Sequence, residues 1–345
     1  MSEPASAQVS ADPAALATDR LGSVVHTPVM RDRITALLGP ALTTPGAIYV
    51  DATLGMAGHA SAILAANPDA RLIGIDHDAD ALAIAEETLK PFAGRVRLVR
   101  ARFDELAAVL DDLGVAQIDS LLADLGLSSL QIDQRDRGFA YATDAPLDMR
   151  MDTRNPRTAA HVLNTAAPGE LVRILRRFGE EPHAERIVRA IVAERVREPF
   201  SDSARLVEVI SSALPAAVRH GGGHPAKRTF QALRIEVNGE LDALAGLLPD
   251  ALDRLAMNGR IAVLAYHSLE DRLVKQTFAQ ATSDSAPARL PVVPEPLLAR
   301  FAALTRGAEK PTADEVAENP RAASARLRAV QRIRPGKIPN REENR

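Results

Sequence analysis

The chain has 345 residues, more than a single domain usually holds, so its length predicts two domains or one domain with a large insertion. It contains no cysteine, which excludes disulfides, thiolate metal sites, iron–sulfur clusters and covalent attack by a cysteine thiolate. The 8 histidines are scattered without ligand-like pairing, so we expect no structural metal.

The formal net charge of −3 conceals two basic regions. Residues 150–234 hold 15 lysines and arginines against 9 acidic residues, and residues 321–345 hold 8 against 2. Neutralising phosphates requires a local surplus of this kind, but a charged helix face is more often simply solvated. The charge pattern is therefore a weak indication of an RNA partner.

The first residues of the chain resemble neither a signal peptide nor a membrane anchor. Residues 1–21 contain no basic leader and no apolar segment, so we expect a disordered N-terminal extension. Nowhere does the sequence reach the roughly 18 consecutive apolar residues that a membrane-spanning helix needs. These features predict a soluble, cytoplasmic protein without a membrane partner.

From Ala47 onward, short β-branched runs alternate with amphipathic stretches, which is the pattern of βαβ units around a parallel sheet. The pattern predicts strands at Ile48–Thr53, Arg71–Asp76, Val96–Arg102 and Ile118–Asp124. It predicts helices at Ala60–Ala66, Asp78–Lys90 and Asp104–Leu113, with Asp78 and Asp104 as N-caps.

A long helical segment follows Asp124 and delays the next strong strand until Arg260–Ala265. Apolar residues recur at helical spacing in 159–163, 168–178, 184–197 and 203–214. We predict an inserted helical substrate-recognition domain at 133–224, which ends at a glycine-rich turn, and a main domain formed by 22–132 and 225–334. In the main domain the pattern predicts one or two helices at 229–257, a turn at 258–259 and an antiparallel hairpin of 297–305 with 324–334, before a basic tail at 335–345.

The strongest local motif is the glycine turn at residues 50–59. Its glycines, Gly55 and Gly58, are spaced G-x-x-G, which does not match the dinucleotide fingerprint G-x-G-x-x-G. An acidic residue ahead of a glycine turn, here Asp51, resembles motif I of class I methyltransferases, whose loop faces the amino-acid end of S-adenosylmethionine. Asp76 ends the second strand, where a carboxylate can bond both ribose hydroxyls.

The third and fourth strands end in further candidate ligand residues. Phe103 would lie beside the adenine, although it is equally well explained as a core aromatic. Asp124 and residues 125–131 follow the fourth strand at the carboxyl edge, where open α/β sheets bind their ligands. We expect the methyl donor and the acceptor to meet there.

The missing cysteine also restricts the acceptor, because carbon-5 methylation of pyrimidines normally needs a thiolate. The 5 lysines disfavour the lysine-rich tetrad common in ribose 2′-O-methylation. An exocyclic amine chiefly needs to be held in line with the methyl group, and amino-methyltransferases usually use a D/N/S-P-P-Y/F motif for this. Residues 124–127 lack its prolines and aromatic, so the acceptor of the amine stays open among Asp124, nearby carbonyls, Ser128 and His267. His267 is equally well explained as a helix cap.

Several motifs together resemble the family of 16S rRNA cytosine-N4 methyltransferases (RsmH, also called MraW), over nearly all of residues 26–334. They lie at 26–30, 51–55, 124–131, 137–139, 148–152, 160–164 and, most diagnostically, His224–Asn238 and His267–Arg272. The resemblance implies an α/β fold, a class I S-adenosylmethionine-dependent methyltransferase (Rossmann-like) sheet with an inserted all-helical domain. It also implies S-adenosylmethionine as cofactor, the small ribosomal subunit as partner and a cytosine in the decoding region of 16S rRNA as target.

Carried across by motif, the family's cofactor contacts fall on Ala57, Gly58, His59, Asp76, Phe103, Asp124 and Gln131. Ala57 stands where relatives commonly have glycine, and Tyr266 where phenylalanine is frequent. For the substrate we predict phosphate contacts by Lys227 and Arg228, with plain surface charge as the alternative, and a place for His267 at the acceptor. The target base must be splayed out of the folded rRNA to reach the donor.

Two other functions stay open at the level of sequence. A methyltransferase for a small molecule or a protein would not need a basic helical insertion. A non-catalytic ribosome-assembly factor that binds RNA would not need to retain Asp51, Asp76 and Asp124. The sequence leaves the oligomeric state open.

Overall fold

The computed structural model describes residues 27–127, 131, 137–139, 141, 144–219, 224–287 and 292–336. The predictions for residues 1–21, His26, Ser128, the glycines of the 221–223 turn and most of the basic tail lie outside the described residues. Within the described ranges, no helix is long and apolar enough to cross a bilayer.

Seven strands form one sheet: β1 (Ile48–Asp51), β2 (Arg71–Asp76), β3 (Val96–Arg100), β4 (Ile118–Asp124), β5 (Leu255–Ala265), β6 (Phe301–Ala303) and β7 (Arg326–Arg332). Their order across the sheet is β3-β2-β1-β4-β5-β7-β6. The first five strands are parallel, and β7 pairs antiparallel with both of its neighbours. The strand order reverses between β1 and β4, which opens a crevice at their carboxyl ends.

The α-helices among the described residues are α1 (Arg31–Leu38), α2 (Gly58–Ala66), α3 (Ala79–Thr88), α4 (Leu106–Asp112), α5 (Ala159–Thr165), α6 (Pro168–Gly179), α7 (Ala184–Arg197), α8 (Ser203–Ala213), α9 (Ala216–Arg219), α10 (Lys227–Asn238), α11 (Glu240–Arg254), α12 (Ser268–Ala281) and α13 (Ala313–Glu318). Helices cover both faces of the sheet, so successive residues of β4 pack on opposite sides. Leu121 belongs to one apolar cluster and Leu122 to the other. Burial on both faces explains why the parallel strands are almost continuously apolar.

A third apolar cluster holds the helical region together. Helices α5 to α8 and α10 contribute to it, and within α10 the buried side chains include Phe230 and Leu233. After Asn238 the chain returns to the sheet, and Leu244 of α11 is again part of an apolar cluster that packs on it. The domain limits stay a prediction, and this packing associates α10 with the helical region.

Asp78 and Asp104 were predicted as equivalent helix caps, and only the first is one. The Asp78 side chain accepts a hydrogen bond from the amide of Asp80 at 3.0 Å and caps α3. Asp104 instead lies inside a 3₁₀ turn and accepts from the Arg102 guanidinium at 2.9 Å. The prediction for Asp104 was wrong because a neighbouring arginine takes up its carboxylate.

The return from the helices to the sheet also differs from the prediction. Strand β5 begins at Leu255, so the predicted helical segment up to residue 257 ends earlier. The predicted turn lies inside the strand as an irregularity, because Ile118 pairs with Leu255 whereas Ser120 pairs with Arg260. The predicted C-terminal hairpin is confirmed by the antiparallel pairing of β6 with β7.

Candidate active site

The carboxyl ends of three parallel strands each carry an aspartate: Asp51 on β1, Asp76 on β2 and Asp124 on β4. Because β1 lies between β2 and β4, the three side chains meet at one edge of the sheet. They line a cavity of about 910 Å³. This volume lies within the range of small-molecule and cofactor sites.

The turn after β1 presents its main chain to the cavity. Gly55 and Ala57 have positive φ angles of 52° and 65°, and α2 begins at Gly58. A Cβ at position 58 would lie 2.5 Å from Cγ of Pro28, so glycine is required where the N-terminal segment crosses the turn. The turn can therefore bring backbone groups, rather than side chains, against a ligand.

Asp76 is oriented by the turn that it faces. Its Oδ2 accepts a hydrogen bond from the Gly55 amide at 2.8 Å, and its Oδ1 accepts one from the Asp78 amide at 2.9 Å. Burial raises the pKa of Asp76 above its ordinary value, against the opposing effects of His77 and the two amides. Each carboxylate oxygen keeps a lone pair with which to accept from a ligand hydroxyl.

The two carboxylate oxygens of Asp124 have different neighbours. Its Oδ1 accepts a hydrogen bond from the Tyr266 hydroxyl at 2.9 Å, and its Oδ2 lies 3.5 Å from Nε2 of His59. Burial, followed by the charge of Asp124, holds the pKa of Tyr266 well above its ordinary value, so this hydroxyl remains a donor. The carboxylate is thus oriented by one hydrogen bond and still has lone pairs with which to accept from a ligand.

His59 is the buried polar group that most directly points to a ligand. Its side chain is 7% exposed, and neither ring nitrogen forms a hydrogen bond with any described residue. Buried polar atoms are normally satisfied, so a missing partner at a cavity wall indicates a ligand atom. Behind His59, Asp51 accepts from the Tyr49 hydroxyl at 2.9 Å, and burial raises the pKa of Asp51 from 3.8 to about 6.

The remaining predicted cofactor contacts occupy other parts of the same wall. Phe103 follows β3 and lines the cavity, as does Gln131, whose amide nitrogen lies 3.4 Å from Oδ2 of Asp78. Ala57 is fully buried behind the turn and does not line the cavity. Six of the seven predicted residues thus share one cavity, which sequence reasoning proposed without knowing their distances.

A second group of charged residues, which sequence reasoning did not single out, also lines the cavity. Arg234 of α10 forms a bidentate pair with Glu240 of α11, at 2.9 Å for both nitrogen–oxygen distances. Glu270 of α12 accepts from the Tyr266 amide at 2.8 Å, and all of these residues line the cavity. Arg234 and Glu270 lie in the two most diagnostic stretches, but nothing in the sequence indicated that both stretches end at one cavity.

The predicted substrate residues are not part of the cavity lining. His267 caps α12: its Nδ1 accepts from the Glu270 amide at 3.3 Å, which is the alternative explanation given for it from sequence. Lys227 and Arg228 are exposed at the start of α10, where Arg228 donates to the carbonyl of Glu180 at 3.2 Å. Their contact with RNA stays a prediction.

Glu240, His267 and Glu270 also bring possible metal-ligand atoms close to one another. One ligand atom each of Glu240, His267 and Glu270 lies within 4.8 Å of the others. Arg234 already neutralises Glu240, and Glu270 is held by the amides of the capping turn. The three residues are therefore explained as part of an ion-pair cluster that contains its own cation.

The chemistry of the cavity fits S-adenosylmethionine. Exposed backbone of the glycine turn and the buried His59 ring suit the amino-acid end, the Asp76 carboxylate suits the ribose hydroxyls, and Phe103 offers an aromatic face. Carboxylates around the cavity also suit a cationic sulfonium. A parallel sheet in the order 3-2-1-4-5-7-6, with an antiparallel seventh strand and such a site at its carboxyl edge, defines a class I methyltransferase.

Comparison with known proteins identifies the family within this class. The model of the MraW methylase family matches residues 23–333, and the chain belongs to this family. A relative from Cutibacterium acnes, named ribosomal RNA small subunit methyltransferase H, is 60% identical over 94% of this chain and 96% of its own length. Relatives with the same name from Streptomyces avermitilis and Saccharopolyspora erythraea are 60% and 57% identical over 90% of this chain, and over 97% and 94% of their own lengths.

Proposed function

We propose that the chain transfers a methyl group from S-adenosylmethionine to the N4 amine of a cytosine in the decoding region of 16S rRNA. The observation that carries the proposal is the meeting of Gly58, Asp76 and Asp124 around a single cavity. Family membership and the names of the relatives support the choice of rRNA over a small molecule or a protein. An RNA-binding factor without catalytic activity would have no use for this set of carboxylates.

The cofactor would be held by the residues predicted from sequence, namely Ala57, Gly58, His59, Asp76, Phe103, Asp124 and Gln131. When bound, S-adenosylmethionine supplies an electrophilic methyl group on a sulfonium. Asp76 would accept hydrogen bonds from the ribose hydroxyls, and Phe103 would stack on the adenine. Ala57 would contribute through the shape of its turn, because its side chain is buried away from the cavity.

Asp124 is the residue best placed to hold the acceptor amine. A carboxylate that accepts a hydrogen bond from the N4 amine would direct the lone pair of the amine nitrogen towards the methyl donor. It would also weaken the conjugation of this nitrogen with the ring. The hydrogen bond from Tyr266 orients this carboxylate, which is the kind of positioning that accelerates a reaction between two bound partners. No proline or aromatic from the usual motif is needed for such a contact.

The rRNA would lie across the helical region. Lys227 is exposed and has no ion-pair partner among the described residues, so its charge is available to a phosphate. Several arginines of α6 are already paired, as Arg176 is with Glu185 and Arg177 with Asp242. We therefore expect Lys227 and Arg228 to contribute more to rRNA binding than these paired arginines.

The test is transfer of labelled methyl groups to small ribosomal subunits from a strain that lacks this enzyme. We expect nucleoside analysis of the 16S rRNA to show N4-methylated cytidine. Asp76→Ala should weaken binding of S-adenosylmethionine about 100-fold in calorimetry, because two hydrogen bonds to a charged group are lost. Asp69→Ala, at the exposed entrance to β2, is the matched control and should bind normally.

Methylation of another nucleoside would overturn the assigned target while leaving the cofactor site intact. Full cofactor affinity in Asp76→Ala would instead overturn the assignment of the site.

A further inference from the structure

The guanidinium of Arg234 has hydrogen-bond donors left over at the cavity. Its side chain is 16% exposed and lines the cavity. Nε and Nη2 each donate one N–H to Glu240, whereas Nη1 has no acceptor among the described residues. A guanidinium carries five N–H donors, so three of them are free for a ligand.

The position of Arg234 is fixed by buried carboxylates. Glu240 is 9% exposed and Glu270 is 3% exposed. Burial acts to lower the pKa of Arg234, but the charges of Glu240 and Glu270 outweigh it and leave the pKa raised. The arginine is therefore a permanently charged, oriented donor, of the kind that costs little reorganisation when a ligand binds.

Neighbouring groups lead from Asp124 to Arg234. The Tyr266 hydroxyl donates to Asp124, and the amide of the same residue donates to Glu270. One carboxylate oxygen of Glu270 lies within 4.8 Å of one of Glu240, the ion-pair partner of Arg234. These residues all line one cavity, so a ligand there meets a carboxylate acceptor and a guanidinium donor that are each oriented by protein hydrogen bonds.

Met151 adds an apolar side chain to the lining of the same cavity. Its amide donates to Oδ1 of Asn238 at 2.8 Å, and Nδ2 of Asn238 donates to the carbonyl of Met149 at 2.8 Å. Asn238 belongs to α10, the helix that carries Arg234, and Met151 lines the cavity. This wall of the cavity is therefore fixed relative to the guanidinium.

We propose that Arg234 is a base-specificity residue, whose guanidinium donates to the N3 and O2 edge of a cytosine while Asp124 accepts from its amine. This inference rests on the proposed function and names how the acceptor is selected. Cytosine presents an amine donor next to ring acceptors, which matches the carboxylate and the guanidinium. Uracil has the acceptor O4 in place of the amine and the donor N3–H in place of the acceptor N3. Its O4 would therefore be repelled by the Asp124 carboxylate, and its N3–H by the Arg234 guanidinium.

The test measures equilibrium binding of cytidine 5′-monophosphate and uridine 5′-monophosphate to the full chain saturated with S-adenosylhomocysteine. We expect the unaltered protein to prefer the cytidine nucleotide at least about tenfold, because a mismatched base leaves the polar groups of the site unpaired. Arg234→Gln should bring the ratio of the two dissociation constants close to one. Arg254→Gln, which removes a guanidinium paired with Asp111 on the surface, should retain the preference.

Arg234→Lys is a second test, which keeps the proposal falsifiable if Arg234→Gln does not fold. Lysine keeps the charge opposite Glu240 but cannot also present the flat array of donors, so an intermediate ratio is expected. Affinity for S-adenosylhomocysteine should stay within about twofold in all folded variants, since their cofactor wall is unchanged.

The proposal is overturned if the unaltered protein binds neither nucleotide or both equally, or if Arg234→Gln or Arg234→Lys retains the full preference. This result does not depend on methyl transfer. A cytidine preference without N4-methylated cytidine in the rRNA would sink the proposed function and leave the base site standing.

Discussion

The two walls of the cavity are built in different ways. The wall proposed for the cofactor consists of a backbone turn and carboxylates at strand ends, joined by hydrogen bonds such as that from Gly55 to Asp76. The wall proposed for the acceptor consists of side chains from three helices, joined by the buried pair of Arg234 and Glu240. The backbone groups of the first wall can bind a ligand without any net charge of their own. In the second wall, the same ion-paired residues would contribute both to recognition of the acceptor and to the stability of the protein.

Removing one member of the pair between Arg234 and Glu240 tests most directly whether this wall stabilises the protein. Glu240→Gln should lower the free energy of unfolding by about 3 kcal/mol, because it leaves Arg234 buried without its main partner. The measurement is the shift of the urea unfolding curve. Asp111→Asn, which breaks the surface pair with Arg254, is the control and should cost less than about 1 kcal/mol.

A loss in Glu240→Gln no larger than in Asp111→Asn would show that the acceptor wall does not carry the stability attributed to it. Glu270 would then be a sufficient partner for Arg234.

The cofactor wall contains the buried carboxyl group of Asp51, whose effect on stability depends on pH. The raised pKa of Asp51 means that folding favours its protonated form, so its stabilising contribution is complete below about 3.8 and is lost as the pH rises through about 6. Relative to Asp51→Asn, the unaltered protein should lose on the order of 2 to 3 kcal/mol of unfolding free energy between pH 4 and pH 7. Chemical unfolding at both pH values, with the exposed Asp69→Asn as control, measures this difference.

A difference between the two proteins that stays constant with pH would mean that Asp51 is ionised as easily as an exposed aspartate. The cofactor wall would then hold a buried charge at neutral pH without a measurable loss of stability, and the contrast between the walls would become weaker.

The smallest expected effect concerns the turn itself. Ala57 has a left-handed φ of 65°, which costs a non-glycine residue about 1 kcal/mol or more, but its buried methyl group recovers a similar amount. Ala57→Gly should therefore change the unfolding free energy by less than about 1 kcal/mol and leave cofactor affinity unaltered. Thermal unfolding measures this change, and the control is Ala60→Gly, at a buried position of α2, which should cost about 1 to 2 kcal/mol.

If Ala57→Gly stabilised the protein by much more than about 1 kcal/mol, the turn would be strained in the unaltered protein. The cofactor wall would then be destabilised by its backbone conformation as well as by its buried carboxyl groups.

Elements with a strong local signal were predicted closely. The strand ends at Asp76 and Asp124 and the cap at Asp78 follow from apolar runs that stop at a carboxylate. Asp104 looked like a cap for the same reason, yet the adjacent Arg102 competes for its carboxylate. Local patterns cannot decide between two partners of similar strength, because geometry settles which one is reached.

In the site, sequence reasoning was most successful where a residue follows a strand. It left the acceptor of the amine open among four kinds of group, and our proposal of Asp124 relies on the hydrogen bond from Tyr266, a contact that the sequence did not indicate. It left the two explanations of His267 even, and the structure shows the capping contact. It did not detect Arg234 or Glu240, since an arginine and a glutamate on amphipathic helices usually form a solvated face.

By itself, the sequence determined a parallel sheet, the aspartates at its carboxyl edge and a helical segment between strands four and five, because periodicity and turn residues act over a few neighbours along the chain. Only the tertiary structure decided that Arg234, Glu240 and Glu270 line the same cavity as Asp124. These residues come from separate helices, and the direction in which a buried charge points is set by the packing of those helices rather than by the residues next to it in sequence.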